Sequence, residues 1–323
     1  MTSLSQKRRV CTSSLLVGIY LSLAGCVNEI GACFSAFLDT VEIFCAARQR
    51  PQSVTTNTLV FLLLLLAGCA GITLSFARAR SRAVFAEDGF HEPGRRTLAV
   101  ALLAGVLLLT VAIPFAGGFA GAQPDTADLT IVSLFAVHAI LIFFLACYYA
   151  LSGRRSLAEF LKIKSARPIA DLSSGILIGA AGWVVTILAA LAVIGVWWLL
   201  RRPLPPSAAE GTPVSPTILW IVSQPVGIKI AIVGSAMIVE ELFFRSFLQT
   251  RVGPLAATLM FTAAHGVYGQ PLVLVGILVI SAVLSVTFVL YGNVLPCIVA
   301  HGAFDAIQMF VVIPLVTRAA QAA

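Results

Sequence analysis

Near the C-terminal end of a 323-residue chain, the stretch VEELFFR (Val239 to Arg245) places Glu240, Glu241 and Arg245 inside an otherwise apolar segment that begins near Val226. Farther on, FTAAH brings His265, and HGAFD brings His301 and Asp305, again within apolar runs. An ionisable side chain in a transmembrane helix costs about 2.5 to 3.5 kcal/mol on insertion scales, so six of them in the last third of a chain call for a common explanation. Glu241 and Arg245 are four residues apart and face each other on a helix, a spacing that lets them neutralise each other as an ion pair. Glu240 is rotated roughly 100° away and is left for other work.

The available chemistry follows from residue type. A carboxylate with an imidazole can hold and deprotonate a water, and a second imidazole beside another hydrogen-bonding group can stabilise an oxyanion. Two histidines and a carboxylate, here Glu240, His265 and His301, can equally hold a divalent metal such as zinc with one position open for water. No HExxH occurs, so a zincin helix is not expected. Depth supports a shared site. At about 1.5 Å per residue, Glu240 is roughly 15 Å and His265 roughly 18 Å from the turn at 250–253, and His301 is roughly 12 Å from the turn at Gly292 and Asn293. Phe261 shares a face with His265, as His301 does with Asp305.

The elements that position these residues are membrane helices. Hydrophobic residues make up 59% of the chain and charged residues only 11%, against roughly 25% charged in soluble domains. Spans of about 20 apolar residues are expected near 11–32, 58–77, 97–119, 129–151, 174–200, 226–248, 254–268, 271–291 and 293–316. The fold class is therefore an all-α polytopic membrane protein of eight or nine transmembrane helices, the first being the weakest because Glu29, Asp39 and Glu42 break its continuation. A net charge of +7 reports orientation rather than nucleic-acid binding. Basic clusters at 7–9, 78–96 and 154–167 belong on the inside, which makes the N-terminus cytoplasmic. The loop at 121–128 lacks Lys and Arg and fits the opposite side, while Arg201 and Arg202 dissent.

The basic loop from Gly153 to Ser173 has the pattern of an interfacial helix, with Leu157, Phe160, Leu161 and Ile163 on its apolar side. The proline-rich 201–216 stretch reads as an exposed connector. Seven cysteines without a CxxC pair imply neither a disulfide framework nor a thiolate metal site. LAGC, ending at Cys26, has the form of a lipoprotein signal, but LAGC recurs at 66–69 inside a span, which favours an uncleaved first helix. His138, alone in the fourth span, reads as a helix-packing hydrogen-bonding residue.

Read together, EELFFR as EExxxR, FTAAH as FxxxH and HGAFD as HxxxN/D, in order on consecutive helices, resemble the CPBP family of CAAX-processing and bacteriocin-processing intramembrane proteases, also called Abi. The resemblance covers about Leu172 to Thr317. It implies a CAAX-protease-like helical core in 172–323; the region 1–171 carries none of the motifs and is assigned from its apolar spans as a transmembrane region of four helices. It implies that Glu240 is the general base on a water, aided by His265, with His301 and Asp305 at the oxyanion-binding positions and peptide or protein as substrate. An ionised Asp305 cannot donate to an oxyanion, so it must be protonated, orient His301 or take part in metal binding. The resemblance leaves zinc undecided. Two other classes fit parts of the pattern: a non-proteolytic scaffold or immunity protein of the same fold, and a proton-coupled transporter. The transporter is disfavoured because the charges gather at one depth instead of forming a path.

Overall fold

The computed structural model describes residues 88–90, 92–119, 130–154, 156–200, 216–268 and 271–322, and these are helical with no strand among them. The expected spans at 11–32 and 58–77, Cys26 and the 121–128 loop lie outside the described residues. Five described helices are long and apolar enough to cross a membrane: Pro93–Gly117, Ile131–Leu151, Pro168–Val196, Leu272–Tyr291 and Leu295–Arg318. The chain is a multi-pass integral membrane protein.

Helix α1 runs through Pro93–Leu107, widens into a π-helical stretch at Leu108–Ala112 and continues as Ile113–Phe119. Helix α2 is Ile131–Leu151, started by a capping box in which the side chains and backbone N–H groups of Thr130 and Ser133 pair reciprocally. Helix α3 is Pro168–Leu199 and α4 the short Pro216–Ser223. Helix α5 is Val226–Glu241, opening into a π-helical stretch at Leu242–Gln249 and closing at Thr250–Val252. Helix α6 is Pro254–Ala264, α7 is Pro271–Tyr291, and α8 is Leu295–Ile307 continued through Gln308–Val312 to Ala322. Proline in the first turn of α1, α3, α6 and α8 starts each helix where a backbone N–H would have had no helical partner anyway.

Two elements differ from expectation. The apolar run at 254–268 is α-helical only to Ala264, eleven residues or about 16 Å, half of the roughly 30 Å hydrocarbon thickness, and a single 3-10 turn follows at Gly266–Tyr268. The α-helix ends because the chain turns at Gly266 to pass the backbone of α1: a Cβ there would come within 2.7 Å of the Phe115 Cα. The basic loop after α2 is not a long interfacial helix but a single turn, Leu157–Phe160, with Phe160 buried. Its backbone is fastened where the Lys162 carbonyl accepts from the Val294 N–H at 2.9 Å, and beside it the Asn293 side-chain amide donates to the Asp171 carboxylate of α3 at 2.9 Å.

Between helices in lipid, close packing and polar ties replace the hydrophobic drive. Aromatic packing joins α1 and α2 to the π-helical stretch of α5, where Phe243, Phe244, Phe247 and Leu248 are buried with Leu103, Phe144 and Tyr148. The Phe144 and Phe247 rings meet edge-to-face at 5.1 Å. On the other side α3 lies directly on α8. A Cβ at Gly179 would overlap the Ala300 carbonyl oxygen, and one at Gly175 would come within 2.7 Å of the Val299 side chain. Glycine at these positions, four apart, lets the backbones approach. Asp88 receives Arg251 on both carboxylate oxygens at 2.8 and 2.9 Å, Arg154 at 3.0 Å and the Tyr148 hydroxyl at 2.9 Å.

Candidate active site

The π-helical stretch begins one residue after Glu241. Its wider turn buries every side chain from Phe243 to Gln249, so the carboxylates directly before it sit on a helix wedged between α2, α6 and α8. Such wide turns recur at functional sites.

Glu241 and Arg245 are fully buried, with Arg245 Nε donating to Glu241 Oε2 at 3.1 Å. Removing two charges from water is costly unless their remaining hydrogen-bonding capacity is met. Here Arg245 also donates to the Ser281 hydroxyl at 3.0 Å and lies over the Phe261 ring at 5.0 Å. The other Glu241 oxygen faces His301 Nδ1 at 3.0 Å. His301 Nε2 in turn stands 3.4 Å from Asp305 Oδ2. Satisfying both contacts requires a hydrogen on each ring nitrogen or a proton on Asp305, because a neutral imidazole has only one N–H. With an imidazolium, the chain Arg245, Glu241, His301 and Asp305 carries no net charge.

Glu240 belongs to a different group. Its Oε1 lies 3.2 Å from His138 Nε2 on α2, and its Oε2 lies 3.8 Å from His265 Nε2 at the end of α6. That second separation is too long for a direct hydrogen bond, and Oε2 is buried with no hydrogen-bond partner among the described residues. His265 Nδ1 donates to the Phe261 carbonyl at 2.8 Å. In the neutral ring this leaves Nε2 as the bare nitrogen, facing the bare carboxylate oxygen. Phe261 joins the two groups, its ring 4.6 Å from that of His265 and 5.9 Å from that of His301.

The six residues singled out in the sequence thus divide: Arg245, Glu241, His301 and Asp305 are linked in a chain of contacts, while Glu240 and His265 stand apart from it, 3.8 Å from each other. His301 contacts Glu241 rather than Glu240, and the residue on Glu240 is His138. The hydrogen bond between helices expected of His138 is present, but the sequence does not name its partner: Glu240 is 102 positions away, and an apolar helix gives no sign of which face a single histidine presents. Its only signal was being ionisable inside a span.

The same distances test the metal set. His301 has both nitrogens directed at carboxylates, so it has no lone pair to offer, and among the described residues no three His, Cys, Asp or Glu side chains are grouped to hold a metal ion. As arranged, Glu240, His265 and His301 do not fit a metal.

Comparison with known proteins adds one finding. Residues 222–307 match the family model described as type II CAAX prenyl endopeptidase Rce1-like. Over that stretch the chain is similar to CAAX endopeptidases. The matched stretch includes Glu240, Glu241, Arg245, His265, His301 and Asp305, and at the level of the family it supports CAAX-type intramembrane proteolysis on a peptide substrate. No curated protein and no solved structure matches the chain significantly.

Proposed function

We propose that the protein is an intramembrane endopeptidase that hydrolyses a peptide bond of a CAAX-type substrate near the cytoplasmic membrane face, with Glu240 as general base. The observation that carries this reading is the pair of bare acceptors, Glu240 Oε2 and His265 Nε2, 3.8 Å apart in a segment that matches a CAAX endopeptidase family. A water between them donates one hydrogen to each acceptor, which turns a lone pair outward to the scissile carbonyl carbon. Glu240 takes one proton as the C–O bond forms. The same proton passes to the amide nitrogen as the C–N bond breaks, releasing a free amine, and the water's second proton passes from the new carboxylic acid to His265 Nε2, leaving a carboxylate-terminated product.

His301 is assigned to the oxyanion. Glu241, held by Arg245, fixes the ring through Nδ1, which leaves Nε2–H as the donor this ring can offer. Asp305 then orients His301 and balances its charge, a task an aspartate performs while ionised. The 3.4 Å separation between them is longer than a strong hydrogen bond, so a developing oxyanion competes for that hydrogen.

The test compares the termini of membrane proteins in cells carrying the parent, Glu240→Gln or His265→Gln, together with cleavage of a prenylated CAAX peptide by the purified proteins. Both variants should lose the cleaved termini while remaining folded. Unchanged termini and peptide turnover in Glu240→Gln would leave the scaffold reading in place of the protease.

A further inference from the structure

His138 lies far outside the matched stretch, on α2, yet it makes the shortest contact to Glu240 of any side chain in the described site. A carboxylate accepts, so the 3.2 Å contact requires the hydrogen on His138 Nε2. The other ring nitrogen, Nδ1, is then a bare lone pair, and it is buried without a hydrogen-bond partner. A histidine kept only to pack helices would satisfy that nitrogen or be replaced by an apolar residue, since α2 is otherwise dominated by Leu, Ile, Val, Phe and Ala. Its edge is lined by Phe135, at a ring separation of 6.4 Å.

The effect on Glu240 is geometric. The terminal torsion of a glutamate is broad, so an unrestrained carboxylate does not keep one oxygen aimed at one point. A hydrogen bond on Oε1 removes that freedom and leaves Oε2 as the oxygen facing His265 Nε2. We propose that His138 is a positioning residue: by donating to Glu240 Oε1 it holds the carboxylate so that Oε2 stays bare and directed at the water shared with His265. This rests on the reading of Glu240 as the base. It also makes the site composite, completed by a helix that precedes the stretch matching the protease family.

The test uses the full chain in lipid nanodiscs. With a fluorescence-quenched, prenylated CAAX peptide, His138→Leu should lower kcat about tenfold while KM stays within about twofold, the size expected for one hydrogen bond to a charged group. His138→Gln, which keeps an N–H donor, should restore most of the loss. A His138→Leu protein with parental kcat overturns the inference, as does a folded His138→Gln no better than His138→Leu. Turnover by Glu240→Gln would instead overturn the assignment of the base itself. A second arm needs neither substrate nor a folded leucine variant: nitrogen-15 spectra of histidine-labelled protein should show His138 protonated at Nε2 in the parent and perturbed in Glu240→Gln. Protonation at Nδ1, or a resonance indifferent to Glu240→Gln, overturns the proposal.

Discussion

Glu241→Gln separates the two adjacent glutamates by energy rather than by activity. The substitution keeps the shape and removes one charge from a pair whose members are both fully buried and 3.1 Å apart. At an effective dielectric of 20 that contact is worth about 5 kcal/mol, and breaking a buried pair by removing one partner costs about 3 to 5 kcal/mol. Arg245 keeps Ser281 and the Phe261 ring, which argues for the lower end, about 3 kcal/mol. At about 2 to 4 °C per kcal/mol for a chain of this order of size, the thermal midpoint should fall by about 10 °C. Glu240→Gln removes no ion pair with a guanidinium and relieves a buried, unpartnered carboxylate oxygen, so its midpoint should stay within about 2 °C of the parent. The assay is thermal unfolding of both variants in the same nanodiscs, followed by intrinsic fluorescence. Equal midpoints, or a larger loss in Glu240→Gln, would refute the division into a structural and a chemical glutamate.

Two further outcomes are expected. Gly179→Ala drives a methyl into the Ala300 carbonyl of α8 and should cost about 1 to 3 kcal/mol, whereas Gly105→Ala, which has open space around it, should be neutral or gain up to about 1 kcal/mol; paired melting curves read the contrast. Because His301 has no free ring nitrogen, peptide cleavage should survive exhaustive chelation with less than about a twofold loss of kcat/KM, a margin set against the 10- to 100-fold effects of disturbing a metal site. Metal content measured on the same sample shows that removal was complete.

What could be read from the sequence depended on whether it was local. The spacing of Glu241 and Arg245 is a property of one helix, and the two side chains meet at 3.1 Å. Counting residues from a turn gives depth, and Glu240 and His265 come within 3.8 Å. Depth carries no azimuth, however, so nothing in the count told that His301 would face Glu241, or that His138 would reach Glu240 from α2. The π-helical turn at Leu242–Gln249 was equally invisible, because FFRSFL has no composition that distinguishes it from an ordinary helix. Lys229 lies inside the span expected at 226–248 and escapes the apolar surroundings by donating to the Val222 carbonyl at 3.2 Å and lying 5.4 Å from the Phe310 ring centre.

The carboxylate of Asp88 also sets an order of events during synthesis. Its first guanidinium partner, Arg154, follows 66 positions later, and its second, Arg251, 163 positions later. At about 5 to 20 residues per second, the ribosome delivers Arg251 some ten to thirty seconds after Asp88. Until then α1 and α2 exist without the cation that fastens them to α5, and the aromatic faces meant for Phe243 and Phe247 stand open to lipid. Arrival of α5 is therefore the step that fastens α1 and α2, and a ribosome stalled before Arg251 would leave those two helices inserted but not locked.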